Sequence, residues 1–154
     1  MNFYDLHSQI TVKPLINPAA TPADNTPIVS AIIDRKDYEG VELVVNCGSI
    51  PDADVTYAAL LEEGDAANLS DAAAVAAAPG LVGALPAIQF DSDNKTFNFG
   101  YQGSKRYVRL TLTPSNNSGA SLLGGVAILY RGRFSGKQIG TGSYPSTEGN
   151  PVGN

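Results

Sequence analysis

Apolar and polar residues alternate along most of this chain, and a period of two is typical of β-strands with one buried face. In QITVKP, Ile10 and Val12 fall on one face, while Thr11 and Lys13 fall on the other. The same alternation predicts strands in VELVVNC, VTYAALLE, TFNFGYQ and KRYVRLTLTP, and PIVSAIIDR is interpreted as one more strand. GGVAILYRG is apolar on both faces, which predicts a central strand that is covered on both sides.

These segments, about seven or eight strands separated by Pro, Gly, Asn and Asp, predict an all-β fold. Many short antiparallel strands at even spacing are typical of a β-sandwich, and eight strands favour a jelly-roll-like arrangement. One stretch, LSDAAAVAAAPG, departs from the alternation. Ser70 is placed to cap a helix and Pro79 and Gly80 are placed to end it, so we predict one short Ala-rich helix in a long connection.

The two ends of the chain differ in composition. A length of 154 residues suits a single domain, and we expect the sandwich to span residues 1–131. Residues 132–154 form an extended arm or tail rich in Gly, Ser and Pro, with Phe134, Ile139 and Tyr144 as isolated apolar residues. Such a segment has too few apolar residues to order itself. Two interpretations stay open: a disordered tail, or an arm that docks on a neighbouring subunit.

The surface is expected to carry few charges. Charged residues make up 16% of the chain, below the roughly 25% of an average soluble domain, and the net charge is -5. An acidic protein lacks the basic face on which nucleic-acid binding depends. No segment approaches the ~20 apolar residues of a membrane helix, and MNFYDLHSQI lacks the pattern of a signal peptide. We therefore expect no nucleic-acid or membrane partner, and folding in a reducing cytoplasm.

The only cysteine and the only histidine do not point to chemistry. Cys47 shares the apolar face of VELVVNC with Val41, Leu43 and Val45, so we expect a buried and inert thiol. His7 has no second histidine or cysteine with which to form an ordinary zinc site. A surface or interface imidazole is the expected role for His7.

The acidic clusters also have structural explanations. DSDNKT, with Asp91 and Asp93, resembles the opening of a calcium loop, but the glycine at its sixth position and the glutamate at its twelfth are missing. A hairpin turn is the favoured interpretation. Glu62 and Glu63 are adjacent on a strand and point to opposite faces, so they cannot flank one glycosidic bond. We expect no catalytic, metal-binding or cofactor-binding residues, and no cofactor.

The stretch KRYVRLTLTP places Tyr107 and Arg109 on the polar face of its strand. Arg and Tyr are enriched in protein interfaces, so this face is either a contact surface or simply solvated. Apolar residues near the chain ends are further candidates for contacts. The protein-interface candidates are Phe3, Tyr4, Leu6, Tyr107, Arg109, Phe134, Ile139 and Tyr144.

Several blocks of the chain carry a resemblance that extends beyond periodicity. Four blocks, which are MNFYDLHSQI, the long stretch from PIVSAIIDR to LLEEGD, LSDAAAVAAA and GSKRYVRLTLTPSNNSGASLLGGVAIL, resemble a family of small virion proteins of tailed bacteriophages and prophages. The resemblance covers about residues 1–131. The resemblance is distributed over the chain and contains no active-site motif. It implies a structural protein, not an enzyme.

The resemblance implies a capsid decoration (cement) protein that stabilises the head by bridging subunits of a major capsid protein of the tailed-phage fold. It further implies a homotrimer on the outer surface of the capsid. The alternative is a tail, fibre or head–tail joining protein with a carbohydrate- or receptor-binding β-sandwich. Glycan-binding sandwiches usually offer an aromatic platform, and the absence of Trp counts against that alternative.

Overall fold

The computed structural model describes residues 5–75 and 77–132, and over these residues the protein is all-β. A 3₁₀ turn at His7–Gln9 precedes the strands, and the described residues contain no α-helix. The strands are β1 (Ile10–Ala20), β2 (Ile28–Val29), β3 (Ile33–Asp34), β4 (Tyr38–Cys47), β5 (Thr56–Gly64), β6 (Ala73–Ala74), β7 (Leu81–Val82), β8 (Ile88–Gln89), β9 (Thr96–Tyr101), β10 (Tyr107–Ser115) and β11 (Leu122–Gly132).

The strands form two antiparallel sheets. The first sheet has the order β1-β11-β4-β9-β7, and the second has the order β2-β10-β5-β6, with β3 also paired to β10 and β8 to β5. The pairing is nested along the chain: β1 pairs with β11, β2 with β10, β4 with β9 and β5 with β6. Nested pairing of this kind divided over two sheets is jelly-roll-like. The predicted antiparallel β-sandwich is therefore confirmed.

The core lies between the two sheets and is built from alternate residues of each strand. In the first sheet Leu43 is in register with both Ala127 and Phe99, and in the second sheet Leu110 is opposite Leu61. All five side chains are buried. Directly opposed residues of an antiparallel pair share one face, so each register row adds a layer to the same core.

The stretch LSDAAAVAAAPG, predicted as a helix, is not helical where the structure describes it. Its residues instead add β6 to the edge of β5, and the backbone N–H of Val75 donates to the carbonyl of Leu61 at 2.8 Å. Asp71 does not begin a helix, because its carboxylate accepts hydrogen bonds from the N–H groups of Asp65 and Ala66. A short alanine run is a marginal helix by itself, and here a sheet edge supplies backbone partners and a buried site for Val75.

Candidate protein-binding surface

Aliphatic side chains lie on the outward side of the first sheet, away from the core. Val12 is directly opposite Ile128, and Val126 is directly opposite Val44. Val12 is 41% exposed and Val126 is 38% exposed, while the other two are half-buried. These four residues on three neighbouring strands are called the aliphatic face below. Branched aliphatic side chains on a pleated surface pack well against a second apolar surface.

The surroundings of the aliphatic face are also low in charge. Ile10 and Pro14 flank Val12 along β1, and Tyr130 lies opposite Ile10. The charged residue in register with Ile128 is Glu42, whose carboxylate accepts a hydrogen bond of 2.6 Å from the Asn98 side-chain amide. A partner that covers this face therefore removes few charges from water, which keeps the desolvation cost low.

A shallow recess of about 320 Å³ continues the face at the far end of β11. Its walls include Pro18 and Leu122. Two glycines bring these walls close together: a Cβ on Gly124 would lie 3.1 Å from Cβ of Pro18, and one on Gly48 would lie 2.9 Å from Cβ of Leu122. Asn46 is the polar residue of the lining, and the other lining residues are apolar or glycine. The recess has room for one protruding side chain of a partner.

The predicted interface residues Tyr107 and Arg109 belong to the second sheet. The Arg109 guanidinium donates from Nε and from one Nη to the same carboxylate oxygen of Glu62, at 3.0 and 2.9 Å. Tyr107 is buried, and the guanidinium of Arg106 lies 4.9 Å from its ring centroid. Both side chains are engaged within the subunit. A role for them in partner contacts stays a prediction.

The remaining interface candidates lie near the chain ends. Leu6 is 71% exposed, and the 3₁₀ turn that follows it contacts β11. The others lie outside the described residues: Phe3, Tyr4, Phe134, Ile139 and Tyr144.

The first strand has the two faces that its alternation predicts, but the apolar face, with Ile10 and Val12, is the one that lies away from the core. Val12 points outward and is exposed, whereas the Thr11 hydroxyl is 2.7 Å from the hydroxyl of Tyr38. The ammonium group of Lys13 donates to the backbone carbonyl of Asp34 at 2.9 Å. The signal for the aliphatic face was present in GGVAILYRG, because a strand that is apolar on both faces has more apolar surface than one core can bury.

A buried arginine organises the end of the sandwich from which β4 and β10 begin. The guanidinium of Arg35 donates to the backbone carbonyls of Lys105 at 2.6 Å and Glu39 at 2.7 Å, and also to that of Gly103. It lies 4.9 Å from the ring centroid of Tyr101. Arg35 is 3% exposed. Two carbonyls of the β9–β10 loop and one at the start of β4 thus share one fixed cation, a structural role that the sequence pattern did not indicate.

The outer rim beside Arg35 is basic but its charges are paired. The ammonium group of Lys105 lies 2.7 Å from the carboxylate of Asp65, and Arg106 binds both carboxylate oxygens of Asp34. These hydrogen bonds lower the pKa of each aspartate. The rim is therefore a set of surface ion pairs that hold the β9–β10 loop, and each contributes little stability alone.

Several aspartates accept hydrogen bonds, and these bonds make the stability of the fold depend on pH. The backbone N–H of Ser118 lowers the pKa of Asp52, as Arg106 does for Asp34. An aspartate whose pKa is lower in the folded state than in the unfolded state stabilises the fold at pH values above its unfolded-state pKa of about 4. This stabilisation is lost as the pH falls through the folded-state pKa. We expect the melting temperature to fall between pH 5 and pH 2 (about the titration range of carboxyls), as circular dichroism would show. The melting temperature of the Asp52→Asn variant should fall less over the same pH range. A wild-type melting temperature that stays constant over this range would contradict the role of these aspartates.

Cys47 is buried as predicted, at 1% exposure. Burial, with a smaller effect of Asp93, raises the pKa of its thiol to about 11. A thiol that is both protonated and inaccessible reacts slowly with disulfide reagents. We expect Ellman's reagent at about pH 8 to label the native protein at least ~100-fold more slowly than the protein in guanidinium. Rapid labelling of the native protein would show that the β4 end opens readily.

The acidic clusters have structural partners. Asp93 accepts a hydrogen bond of 2.6 Å from the N–H of Ile50, which ties the DSDNKT turn to the β4–β5 loop. The turn joins β8 of the second sheet to β9 of the first, so it crosses between sheets and is not the hairpin that was predicted. Glu62 faces outward to Arg109, while Glu63 accepts a hydrogen bond from the hydroxyl of buried Tyr101. The prediction that these glutamates point to opposite faces is confirmed.

Within residues 5–75 and 77–132, no group of three or more His, Cys, Asp or Glu side chains is arranged to hold a metal ion. In the same residues no helix has the length and apolarity needed to cross a membrane. A scan against known protein families and a search of curated proteins found no match to this chain.

Proposed function

We propose that this chain is a structural protein of a tailed-phage virion, a capsid decoration protein that attaches to the major capsid protein through the aliphatic face. The observation that carries the proposal is the exposure of Val12 and Val126, in register with Ile128 and Val44, on a sheet with few charges. Exposed apolar patches of this kind mark protein-binding surfaces. The resemblance of residues 1–131 to small virion proteins supports the choice of partner.

In this proposal the protein acts by binding the assembled lattice better than its separate subunits. A decoration subunit seated where capsid subunits meet makes contacts that exist only in the closed shell. Such preferential binding stabilises the shell by mass action, and several linked contacts per oligomer multiply the effect. A homotrimer would match a threefold position of the lattice, since closed rings follow the symmetry of their site.

Purified shells of the encoding phage, stripped of this protein, provide the direct test. We expect the purified chain to co-sediment with the shells to saturation, and to raise the temperature at which they break open. Immunogold labelling of virions should place it on the head. Label confined to the tail or fibres, together with binding to a glycan array, would replace this proposal with the receptor-binding alternative.

A further inference from the structure

The first sheet has an open edge at β9. Backbone groups alternate in direction along a strand, and the N–H of Gln102 donates away from β4 to the carbonyl of Gly80 at 2.9 Å. The even-numbered residues of β9 therefore point away from β4, and β7 pairs with Gly100 among them. The N–H groups and carbonyls of Thr96 and Asn98 point to the same side, where no described residue bonds to them.

The opposite edge of the same sheet, at β1, is open over an equal length. The carbonyl of Leu122 accepts a hydrogen bond of 2.7 Å from the segment after β4, so the even-numbered residues of β11 point to β4 and the odd-numbered residues point to β1. Thr11 and Lys13 pair with those odd-numbered residues. The backbone groups of Ile10 and Val12 are thus left at the outer edge, and no described residue bonds to them.

These two open edges, residues 10–12 of β1 and residues 96–98 of β9, fit each other as an antiparallel pair. Each edge offers two N–H groups and two carbonyls. When Ile10 lies opposite Asn98, the second pair follows two residues along, and the two pairs together make four backbone hydrogen bonds. The pairing then uses every free N–H and carbonyl of both edges.

The neighbouring strands allow this direction and block the reverse. β1 continues through Pro14 to Ala20, and β7 already occupies the edge of β9 at Gly100. In an antiparallel pair β1 continues away from β7, past the turn that precedes β9. A parallel pair would drive β1 from Pro14 onward into β7. Proline at position 14 also ends the ladder, because it has no N–H to donate.

The side chains of the two edges are compatible as well. Val12 and Asn98 both lie on the outward side of the first sheet, with Asn98 in register with Val44. Pairing therefore joins the outward sides of two subunits into one continuous surface. Sheet edges that have to stay single are often protected by charged side chains. Residues 10–12 and 96–98 contain no charged side chain, so charge does not oppose the pairing.

We infer that copies of this chain join head to tail, with β1 of one subunit paired to β9 of the next. The partner at each open edge is a second copy, because one subunit carries both halves of the pair on opposite sides of its first sheet. Head-to-tail contacts form a closed ring when the rotation between subunits closes. A ring of three would supply the contacts of the homotrimer, and this number of subunits rests on the proposed function. The pairing itself does not depend on the capsid.

Disulfide trapping between full-length chains tests this inference. One chain carries Ile10→Cys and the other carries Asn98→Cys; directly paired residues have Cα atoms about 5.5 Å apart, a distance that a disulfide spans. Under mild oxidation, the mixture should form disulfides between chains at least about fivefold faster than either variant alone. The matched control mixes Ile10→Cys with Leu60→Cys, because Leu60 is 41% exposed on the second sheet. Buried Cys47 leaves the assay undisturbed.

Equal rates in all of these solutions would overturn the inference. Fastest closure with Asn98→Cys alone would also overturn it, because β9 would then pair with itself. A second measurement compares Asn98→Pro with Asn98→Ala by light scattering after size exclusion, and circular dichroism checks their folding. Both variants lose the side chain, but only proline loses the N–H at the open edge.

We expect the proline variant to need at least about a tenfold higher concentration than the alanine variant to assemble, which corresponds to the loss of backbone bonding at each junction. A wild-type protein that stays monomeric, or a folded proline variant that assembles like the alanine variant, would contradict the pairing. Neither readout involves capsid shells, so failure here is distinct from failure of the proposed function.

Discussion

Replacing Val126 with aspartate is expected to weaken binding to capsid shells at least about 100-fold and to leave the fold intact. Val126 is 38% exposed in the free subunit, so the carboxylate stays hydrated there. In a complex that covers the aliphatic face, the same carboxylate would be buried opposite Val44 without a partner. An unpaired buried charge costs several kcal/mol, and each 1.4 kcal/mol corresponds to about a factor of ten in affinity.

Leu60→Asp is the matched control for this substitution. Leu60 is 41% exposed and also lies on a strand, but it faces outward from the second sheet opposite Thr111. Its replacement should leave shell binding within about threefold of wild type. Titration of fluorescent protein against stripped shells measures both variants, and circular dichroism checks their folding. If Leu60→Asp loses binding and Val126→Asp does not, the contact surface lies on the second sheet and not on the aliphatic face.

Replacing Arg35 with methionine is expected to lower the free energy of unfolding by about 3 kcal/mol or more. The substitution removes a buried cationic donor that the carbonyls of Glu39, Gly103 and Lys105 share through partly buried hydrogen bonds. Each hydrogen bond from a charged donor contributes about 1.5–3 kcal/mol. Loss of the contact with the Tyr101 ring adds to this. Urea unfolding followed by intrinsic tyrosine fluorescence gives the value.

Arg131→Met controls for the loss of a positive charge as such. The Arg131 side chain is 68% exposed and lies 3.4 Å from the carboxylate of Glu39, a surface pair. We expect its replacement to change the free energy of unfolding by less than about 1 kcal/mol. Similar losses for the two variants would mean that net charge, and not the hydrogen bonds to the three carbonyls, explains the effect of Arg35.

The sequence pattern predicted the buried face correctly for strands in which every residue of one face is buried. The apolar face predicted for VELVVNC, formed by Val41, Leu43, Val45 and Cys47, is at most 1% exposed in the sandwich. Here the pattern and the burial agree because β4 lies between β11 and β9 in the first sheet, so its orientation is set by its own apolar residues.

The edges of the sheets were less predictable. β1 continues through Pro14 and Pro18 to Ala20, although a proline-rich stretch there is typical of a loop. An edge strand accepts proline because only one of its sides needs ladder hydrogen bonds. In the same way, the alanine run after Ser70 became a strand because β5 offered it an edge. The helix and strand propensities of a segment do not show where a free sheet edge will lie in the folded protein.

The candidate surface was predicted only in part. The outward position of Arg109 followed from alternation, but its pairing with Glu62 depends on the register of β5 against β10. The aliphatic face required knowing that Thr11 and Lys13 have partners in the β3–β4 region. These are contacts between distant parts of the chain, and a single sequence does not specify them.

The nested pairing of the strands has a consequence for biosynthesis. Ile10 is paired with Tyr130, so β1 leaves the ribosome long before its partner strand β11. Until Gly132 has emerged, the nascent chain cannot close the first sheet, and β1 presents an open edge to other chains. Contacts so distant along the chain also slow folding. Unfinished chains therefore have to stay apart from one another until β11 has been synthesised.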